Sequence, residues 1–276
     1  MDGVSVVIPA FRAQDTIVRA VTSALRQDPA EIIVVSDDGA DYAPTLARAG
    51  LRDGRLRHAT TGRIGAGPAA ARNLGQAMAA GEIVAWLDAD DLFHPGRLAA
   101  LAPLARERGA AADNVRVVDD ATGREMQCLF PPGDGVMEMD AEGFLATSVP
   151  MTFAVRRALG LRWDEDLLLG DDVAYNLRLF DRLGPLPVTL RPFHDYRVRL
   201  GSICHADDSA AKAEEGYGIM LRRLAADGFG FARPEIRKAF AASLQRKIAL
   251  NRAFDAAHRF GQAATFQDFI AARRGT

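Results

Sequence analysis

Residues 81–95, with the sequence GEIVAWLDADDLFHP, join a short apolar run to a cluster of three aspartates. The run over 83–87 is rich in β-branched and aromatic side chains, which predicts a strand buried on both faces. Asp88, Asp90 and Asp91 follow at once, and carboxylates this close repel one another and are costly to desolvate. Because Mg²⁺ and Mn²⁺ prefer oxygen ligands, the cluster predicts a divalent-cation site at the carboxyl end of this strand. A solvated turn that caps the next helix is the simpler interpretation, and it applies most directly to Asp91.

The composition is that of a globular protein whose partners are not nucleic acids. The chain has 276 residues, of which 49% are hydrophobic and 25% charged, enough for one large domain or a domain with an appendage. Its formal net charge of -2 gives no electrostatic reason to bind nucleic acid. Two cysteines, Cys128 and Cys204, are too few for a disulfide framework or a zinc site. Neither a signal-peptide pattern nor an apolar run of the roughly 20 residues that span a bilayer occurs, which predicts a cytoplasmic location.

Strand and helix patterns alternate from the beginning of the chain. An apolar strand over 4–8, a helix capped by Gln14 or Asp15 and a second apolar strand over 31–35 form a βαβ unit. The two strands of such a unit should be parallel neighbours joined by a right-handed crossover. Alternation of this kind is typical of α/β folds.

Similar patterns continue to about residue 205. They predict helices over 44–49, 68–79, 95–108 and 173–183, and strands over 56–59, 114–119, 126–130 and 187–190. Residues 143–148 and 152–159 show no clear pattern, and the basic residues 196–202 are predicted to form a loop.

The character of the chain changes at about Ala206, where helical patterns replace the alternation. We therefore predict an α/β domain over 1–205 and a helical region over 206–276. Residues 217–276 contain eleven Lys and Arg against four acids, a net charge of +7, and most of these cations are expected to form a solvated face. A basic amphipathic surface can also contact anionic lipid, so a peripheral membrane contact is the alternative for this region.

A glycine-containing stretch, residues 65–73, admits two interpretations. It contains a G-x-G-x-x-A, but the dinucleotide-binding fingerprint should directly follow the first strand, which this stretch does not. Pro68 and the alanines after it instead predict the start of a closely packed helix. Arg72 lies in the first turns of this helix and suits a phosphate or a carboxylate, with a structural ion pair as the alternative.

A second acidic concentration, residues 163–172, precedes a predicted helix. Asp171 and Asp172 fall at the N-terminus of that helix, where negative charge is favourable. Helix capping is therefore the simplest interpretation of both residues, and a role in chemistry is the alternative.

Five short segments occur in an order that resembles the family 2 glycosyltransferases. Four of them are VSVVIPAF at 4–11, VSDDGAD at 35–41, GPAAARN at 67–73 and LDADD at 87–91; the fifth, GDD at 170–172, resembles the family's Glu-Asp acceptor motif. Each segment alone is a weak indication of the family, but the five segments in this order are specific to it. The resemblance implies an α/β, Rossmann-like nucleotide-diphospho-sugar transferase fold with a mainly parallel central sheet, followed by a C-terminal helical region.

The resemblance also implies a role for individual residues. Asp90 would bind Mn²⁺ or Mg²⁺, and Asp172, the aspartate of the acceptor motif, would be the catalytic base. The end of the first strand and Asp38 would surround a uracil base, and Asp88 would contact the ribose or the sugar. The complete nucleotide-sugar-binding set that it implies is Pro9, Ala10, Phe11, Asp38, Gly67, Arg72, Asp88, Ala89 and Arg199.

Two positions depart from the family's pattern. The glutamate of the acceptor motif is Asp171 here, one methylene shorter, so capping or orienting the acceptor is its expected role. Related enzymes often carry a histidine near the metal, after the last strand. This chain has Arg199 there, which is expected to meet the donor diphosphate directly. The glutamine and tryptophan motif of processive synthases is absent, which favours a single transfer over polymerisation.

The reaction that the resemblance implies displaces a nucleoside diphosphate from an anomeric carbon. Negative charge grows on the departing phosphate, and a cation held by Asp90, with Arg72 or Arg199 nearby, can stabilise it. An acceptor hydroxyl that attacks from the opposite face needs a general base, and in-line attack inverts the anomeric centre. We expect a UDP-sugar donor and a glycan or lipid-linked acceptor, as in bacterial-type polysaccharide or glycoconjugate synthesis at the inner face of the membrane.

Three alternatives stay open from the sequence. A sugar-nucleotidyltransferase shares the architecture but carries a glycine-rich, arginine-containing loop after the first strand, where residues 9–11 are Pro-Ala-Phe here. A retaining transferase would share the donor site without the base. A non-catalytic sugar-nucleotide-binding subunit would keep the donor site without turnover.

Overall fold

The computed structural model describes residues 3–147, 149–167, 169–199 and 209–260. The chain divides into two compact units, residues 1–200 and 201–276. The described part of the first unit combines strands with helices, and that of the second contains helices.

The first unit contains ten strands and six α-helices within its described residues. The strands are β1 (Val4–Ala10), β2 (Glu31–Ser36), β3 (Leu56–Thr60), β4 (Ile83–Trp86), β5 (Leu92–Phe93), β6 (Ala110–Asp119), β7 (Glu125–Cys128), β8 (Val136–Met139), β9 (Ala154–Arg156) and β10 (Leu186–Val198). The helices are α1 (Ile17–Leu25), α2 (Ala43–Arg48), α3 (Pro68–Met78), α4 (Arg97–Arg108), α5 (Ala141–Ala146) and α6 (Asp171–Leu183). The second unit contributes α7 (Ser209–Ala225) and α8 (Pro234–Arg259).

All ten strands of the described chain belong to one mixed sheet. Eight of them follow the order β3-β2-β1-β4-β9-β6-β10-β5, while β7 pairs with β6 and β8 with β10. The neighbours β3, β2, β1 and β4 run parallel, as do β6 and β10. The short strands β5, β7, β8 and β9 pair antiparallel with their neighbours. The long central strands are therefore mainly parallel, which confirms the predicted fold class.

The parallel strands β1, β2 and β4 end at one edge of the sheet. Ala10, the last residue of β1, lies opposite Ser36, the last residue of β2. Trp86, at the end of β4, lies opposite Val7 of β1. The loops that follow these strands therefore share the edge at which open α/β sheets bind ligands.

The centre of the sheet is packed on both faces. Residues 83–87 are each at most 1% exposed, which confirms the doubly buried strand predicted for them. Helix α1 buries its apolar face through Ile17 and the residues one turn further on. Helix α3 approaches β1 most closely at Gly75, where an added Cβ would lie 2.3 Å from Cγ1 of Val7. A side chain at that position would force the helix away from the sheet.

One loop and one helix cap assigned from the sequence are wrong. Residues 196–198 are not a loop but the end of β10, paired with β6 through Tyr196 and Val117. Their basic residues alternate with apolar ones, and a strand accommodates such charges when they find partners, as Arg197 does with Asp120. Residues 200–202 of the predicted loop lie outside the described residues. Helix α1 begins after Thr16, so neither of the two polar residues proposed as its cap occupies the capping position.

Segments without a clear pattern form short elements. Helix α5 begins after Asp140, whose carboxylate accepts the N–H of Gly143 at 2.8 Å, the usual way in which an aspartate caps a helix. Residues 152–159 form β9 and a single 3₁₀ turn, Arg157–Leu159. Strand β6 begins at Ala110, four residues before its predicted start at Asn114. Sequence patterns missed α5, β9 and the start of β6. The first two are too short to show a periodicity, and the start of β6 is recognised by its pairing with another strand.

The second unit has a small aromatic core within its described residues. Phe229, Phe231 and Phe240 are each at most 6% exposed and their ring centres lie 5.6–6.3 Å apart. Cations such as Lys238 and Arg246 of α8 are exposed. Among the helices of the described chain, none combines the length and the apolar composition needed to cross a membrane.

A completely buried ion pair joins α4 to β6. The side chains of Arg97 and Asp113 are 0% and 1% exposed, and Nη2 lies 2.8 Å from Oδ1. Arg97 also donates to the carbonyl of Thr152 at 3.1 Å, and its guanidinium lies 4.1 Å from the centre of the Phe93 ring. Because desolvation of both charges is costly, the arrangement is stable only while both partners are present.

We expect Asp113→Asn to lower the free energy of unfolding by about 3–5 kcal/mol, because it leaves the Arg97 charge buried without its partner. Glu138→Gln is the matched control, since it breaks a pair with Arg108 whose side chains are 39% and 50% exposed. That change should cost less than about 1 kcal/mol. Urea unfolding followed by circular dichroism measures both variants, and equal losses would contradict the role given to burial.

Candidate active site

Asp38, which follows β2, joins two loops at the carboxyl edge of the sheet. Its carboxylate accepts the N–H of Arg12 at 2.7 Å and the hydroxyl of Tyr42 at 2.9 Å. It also accepts the hydroxyl of Ser36 and the N–H of Ala40. Burial disfavours its charge, but these hydrogen bonds outweigh burial and lower the pKa of Asp38 to about 2. The carboxylate therefore stays ionised and fixes the loop that follows β1.

The residues predicted around the nucleoside base lie at the end of β1. Ala10 is buried and Pro9 is half-buried, so both belong to the strand and its packing. Phe11, in contrast, is 45% exposed, with the guanidinium of Arg12 5.2 Å from its ring centre. Arg12 has φ 51°, a left-handed conformation that the hydrogen bond to Asp38 helps to hold. An exposed aromatic face thus lies next to the Asp38 loop.

Asp37 was not singled out from the sequence, yet it holds the start of α3. It is 5% exposed, and its two oxygens accept the N–H groups of Ala66 and Gly67, each at 2.9 Å. Gly67 precedes α3 with φ 100°, a conformation that favours glycine. The sequence contained a signal for this role. Two successive aspartates follow a buried strand, and successive side chains can point to opposite sides of the chain.

Arg72, on the first turns of α3, bridges two acidic motifs, the second of which lies 99 residues after Arg72 in the sequence. Nη2 lies 2.7 Å from Oδ1 of Asp88, and Nη1 lies 3.0 Å from Oδ2 of Asp171. The guanidinium also lies 4.4 Å from the centre of the Trp163 ring. Arg72 is 6% exposed; burial works against its charge, but Asp88 and Asp171 outweigh burial and raise its pKa. The ion-pair interpretation of Arg72 therefore describes its contacts in this structure.

The second aspartate after β4, Asp90, is paired with an arginine from the end of β10. Nη2 of Arg199 lies 2.9 Å from Oδ2 of Asp90, and Arg19 donates to the backbone carbonyl of Asp90 at 3.2 Å. Burial and the neighbouring Asp88 raise the pKa of Asp90, against the opposing charge of Arg199. Ala89, between the two acids, is 7% exposed and belongs to the apolar core.

Asp91 is not a solvated helix cap, contrary to the simpler interpretation of the sequence. It is 2% exposed and accepts a hydrogen bond from the N–H of Arg197 at 2.8 Å. Nε2 of His194 lies 3.0 Å from its Oδ2, within hydrogen-bonding distance. Burial raises the pKa of Asp91 to about 6, although His194 acts in the opposite direction. Asp91 therefore ties the acidic loop to β10, and patterning missed this because β10 was only partly recognised.

A second group of ion pairs surrounds this contact. Arg116 binds Asp195 through two hydrogen bonds of 2.7 and 3.0 Å, and Nε2 of His94 lies 2.9 Å from the same carboxylate. Burial disfavours ionisation of Asp195, but the hydrogen bonds from His94 and Arg116 outweigh burial and lower its pKa to about 2. The acidic loop is thus held between β5, β6 and β10 by charged side chains.

The acceptor-motif acids lie in the first turn of α6, whose capping position is taken by Gly170. Asp171 is 8% exposed. Burial raises the pKa of Asp171 to about 6, and Asp172 and Asp88 add to the rise while Arg72 opposes it. Asp172 is half-buried. Among the described residues, we find no hydrogen bond to its carboxylate, so it is the acid of this pair that a hydroxyl could approach.

A cation at this site would need ligands besides those of the protein. Within the described residues no group of three His, Cys, Asp or Glu side chains could hold a metal ion. Mg²⁺ is nevertheless commonly bound by one or two carboxylates together with substrate phosphates. Burial and Asp88 make the charge of Asp90 costly, a cost that a bound cation would relieve. The residues therefore fit a cation shared with a diphosphate and not one enclosed by protein ligands alone.

The fold of this chain is also found in a solved structure of another protein. The crystal structure of S. aureus TarS 1-349 in complex with UDP-GlcNAc superimposes with a TM-score of 0.60 at 18% identity, covering 96% of this chain and 93% of that one. The likeness confirms the nucleotide-diphospho-sugar transferase fold, a GT-A-like α/β architecture with a mixed sheet and C-terminal helices. At this identity it shows the fold and no more.

Sequence comparison defines the family. Residues 5–161 match the family described as Glycosyl transferase family 2, and this is more than half of the chain. The succinoglycan biosynthesis protein ExoO of Rhizobium meliloti (strain 1021) is 32% identical over 249 residues, which cover 82% of this chain and 70% of ExoO. The chain therefore belongs to glycosyl transferase family 2 and is a glycosyltransferase, as the order of its motifs predicted.

A shorter similarity involves an enzyme with a named substrate. WfgD of Escherichia coli, a UDP-Glc:alpha-D-GlcNAc-diphosphoundecaprenol beta-1,3-glucosyltransferase, is 32% identical over 97 residues, 34% of this chain and 38% of WfgD. The family match ends before Asp171, Asp172 and Arg199. The roles of those three residues, and of the individual donor-site residues, stay predictions.

Proposed function

We propose that this chain is a metal-dependent, inverting glycosyltransferase that moves a sugar from a UDP-sugar to an acceptor hydroxyl in bacterial polysaccharide or glycoconjugate synthesis. The observation that carries the proposal is the contact of Arg72 with both Asp88 and Asp171. Transfer requires a donor-binding group and a base for the acceptor at the same anomeric carbon. Arg72 holds the loop after β4, the proposed donor side, next to the start of α6, the proposed acceptor side. A transfer reaction needs these two sides close together.

The proposed donor pocket lies on the loops after β1 and β2. Phe11 offers an exposed aromatic face on which a base can stack, and Asp38 fixes the loop that carries it. The TarS structures with UDP and with UDP-GlcNAc, and the UDP-Glc named for WfgD, support a uridine diphosphate donor. We assign uracil recognition to this loop, with Asp38 acting through its contacts to the loop backbone.

The proposed diphosphate site lies at the acidic loop. Asp90 would hold Mn²⁺ or Mg²⁺ together with the donor phosphates, and such a cation stabilises the charge that develops on the departing diphosphate. Arg72 and Arg199 already lie within 3 Å of Asp88 and Asp90, respectively. Their guanidinium groups are thus already at the proposed site, where they can stabilise negative charge on the diphosphate.

Asp172 is the proposed general base. Its position in the first turn of α6 favours a negative charge. Its carboxylate is accessible, whereas the buried carboxylate of Asp171 is bound by Arg72. It would accept the proton of the acceptor hydroxyl as that oxygen attacks the anomeric carbon. Attack from the face opposite the diphosphate inverts the configuration, and no enzyme nucleophile is needed.

The proposed acceptor is a glycan or a lipid-linked saccharide, used at the cytoplasmic face of a membrane. The undecaprenyl diphosphate acceptor named for WfgD and the polysaccharide pathway named for ExoO support this choice. Lys238 and Arg246, exposed on α8, belong to a basic region that would contact anionic lipid and hold the enzyme near such an acceptor.

Donor binding should require a divalent ion. We expect the affinity for UDP, measured by calorimetry on the full chain, to be at least about tenfold higher in Mn²⁺ than in excess chelator. Asp90→Ala should abolish this difference, whereas Glu142→Ala, which removes an exposed acid of α5, should preserve it. Equal affinity of the parent protein in Mn²⁺ and in chelator would remove the metal from the proposal.

Asp172→Asn should cut transfer at least about 100-fold, the lower range for loss of a general base, while UDP affinity stays within about twofold of the parent. Asp171→Asn should be milder. Transfer is followed by release of UDP from UDP-glucose or UDP-GlcNAc with a panel of saccharide-diphosphate-lipid acceptors, and proton NMR gives the anomeric configuration of the product. A retained configuration, or parental turnover by Asp172→Asn, would refute the base assignment.

The full chain should sediment with vesicles containing phosphatidylglycerol and not with pure phosphatidylcholine, and high salt should release it. Replacing Lys238 and Arg246 together by glutamine should weaken this binding at least about tenfold, since each cation near an anionic surface contributes about 1 kcal/mol. The matched double replacement of Arg48 and Arg52, exposed in the first unit, should have little effect. Equal sedimentation with neutral vesicles would exclude an electrostatic contact.

A further inference from the structure

Helix α3 holds the segment that leads into the acceptor motif. Asn73 donates to the carbonyl of Trp163 at 2.9 Å and accepts the N–H of the same residue at 2.8 Å. Gln76 donates to the carbonyl of Leu161 at 2.8 Å. Together with the bond from Arg72 to Asp171, these contacts hold Leu161, Trp163 and Asp171 against α3. The helix that begins at the donor edge is therefore also the support of the acceptor motif.

Arg72 is the member of this face that touches both motifs. Its two terminal nitrogens are used by two different carboxylates, Asp88 and Asp171, and its plane lies against Trp163. Its Nε is buried and has no hydrogen-bond partner among the described residues. The guanidinium, on a residue that is 6% exposed, is thus shared between two acids, and a change in its bond to one of them affects its bond to the other.

We propose that Arg72 is a positioning residue that couples donor binding to the acceptor motif by dividing its guanidinium between Asp88 and Asp171. In the free enzyme it holds both acids. A donor diphosphate beside Asp88 competes for the guanidinium and loosens its bond to Asp171, so that donor occupancy changes how Asp171 and the start of α6 are held. The inference rests on the proposed donor site and goes beyond it, because it makes the acceptor side respond to the donor.

The direction of the effect follows from the charges. Asp171 competes with the diphosphate for the same cation, so removing the charge of Asp171 leaves Arg72 more available to the donor. Coupling between two sites is reciprocal, so a change in the acceptor motif must appear as a change in donor affinity. A buried Asp171 that loses part of its bond to Arg72 is also more costly to keep ionised, which favours movement of the α6 start.

The test compares two acids of the segment before α6 that differ in their contact with Arg72. Asp171→Asn should raise the affinity for UDP at least about fivefold, the lower range for coupled sites, measured by calorimetry in Mn²⁺ on the full chain. Asp166→Asn removes the same charge from an exposed acid of that segment and should change the affinity less than about twofold. Asp171→Glu restores the charge and should return the affinity towards that of the parent.

The outcomes separate this inference from the proposed function. Unchanged affinity in Asp171→Asn, with UDP binding by the parent intact, overturns the coupling and leaves the donor site standing. Equal tightening by both asparagine variants also overturns it, because general electrostatics would then suffice. A parent protein that does not bind UDP overturns the donor assignment and the coupling with it.

Tryptophan fluorescence gives a second measurement that does not depend on the stability of the Asp171 variants. The chain has two tryptophans, Trp86 and Trp163, and only Trp163 lies under Arg72. Saturating UDP should change the emission of the parent, and Trp163→Phe, which keeps an aromatic ring under Arg72, should lose that change while still binding UDP. An emission change that persists in Trp163→Phe, or that is absent from a parent that binds UDP, contradicts the proposal.

Discussion

The need to balance buried carboxylates at one edge of the sheet is the constraint on which this structure depends. Asp91, Asp171 and Asp195 are each at most 8% exposed, and an isolated buried carboxylate is too costly to keep ionised. Each is matched by a cationic or hydrogen-bonding partner from another element: His194 for Asp91, Arg72 for Asp171, and Arg116 for Asp195. The elements that supply these partners are therefore held to the edge by charge as well as by packing.

This constraint explains why each of the three aspartates in the loop after β4 is held by a residue of another element. Asp88 is held from α3, Asp90 from the end of β10, and Asp91 from within β10. The chain uses its short β5 strand, paired antiparallel with β10, to keep the loop against these partners. Carboxylates and guanidinium groups are thus set in place before any ligand binds, and such preorganisation is the main means by which proteins stabilise developing charge.

Helix α3 has a role that its composition does not suggest. Its small residues let it lie close to β1, with Gly75 against Val7, and this close packing fixes the positions of its polar residues. Arg72 and Asn73 are then directed at segments far away in the sequence. Asp37 anchors the helix start through the backbone of Ala66 and Gly67. Close packing and the hydrogen bonds to Asp37 therefore hold the start of α3, with Arg72 and Asn73, in place.

Patterning predicted the parts of this protein that are local in sequence. The strands β1, β2 and β4 are continuous apolar runs, and Asp88 and Asp90 were found because a cluster of acids directly follows a buried strand. Asp38 was named only because the chain resembles the family 2 glycosyltransferases. The parallel order of these strands follows from the right-handed βαβ crossover. The fold class and the place of the site at the carboxyl edge of the sheet could thus be predicted.

The partner of each charged side chain was decided by tertiary structure. Asp91 was expected to be solvated and is buried, because His194 and the backbone of Arg197 are brought to it by β10. Arg72 binds Asp171, which lies 99 residues away in the sequence. The periodicity of helices and strands cannot predict a contact between residues so far apart. The sequence therefore determined which residues can carry charge and where the strands end. The pairing of those charges depended on the folded sheet, because an ion pair forms only where the fold brings its two members together.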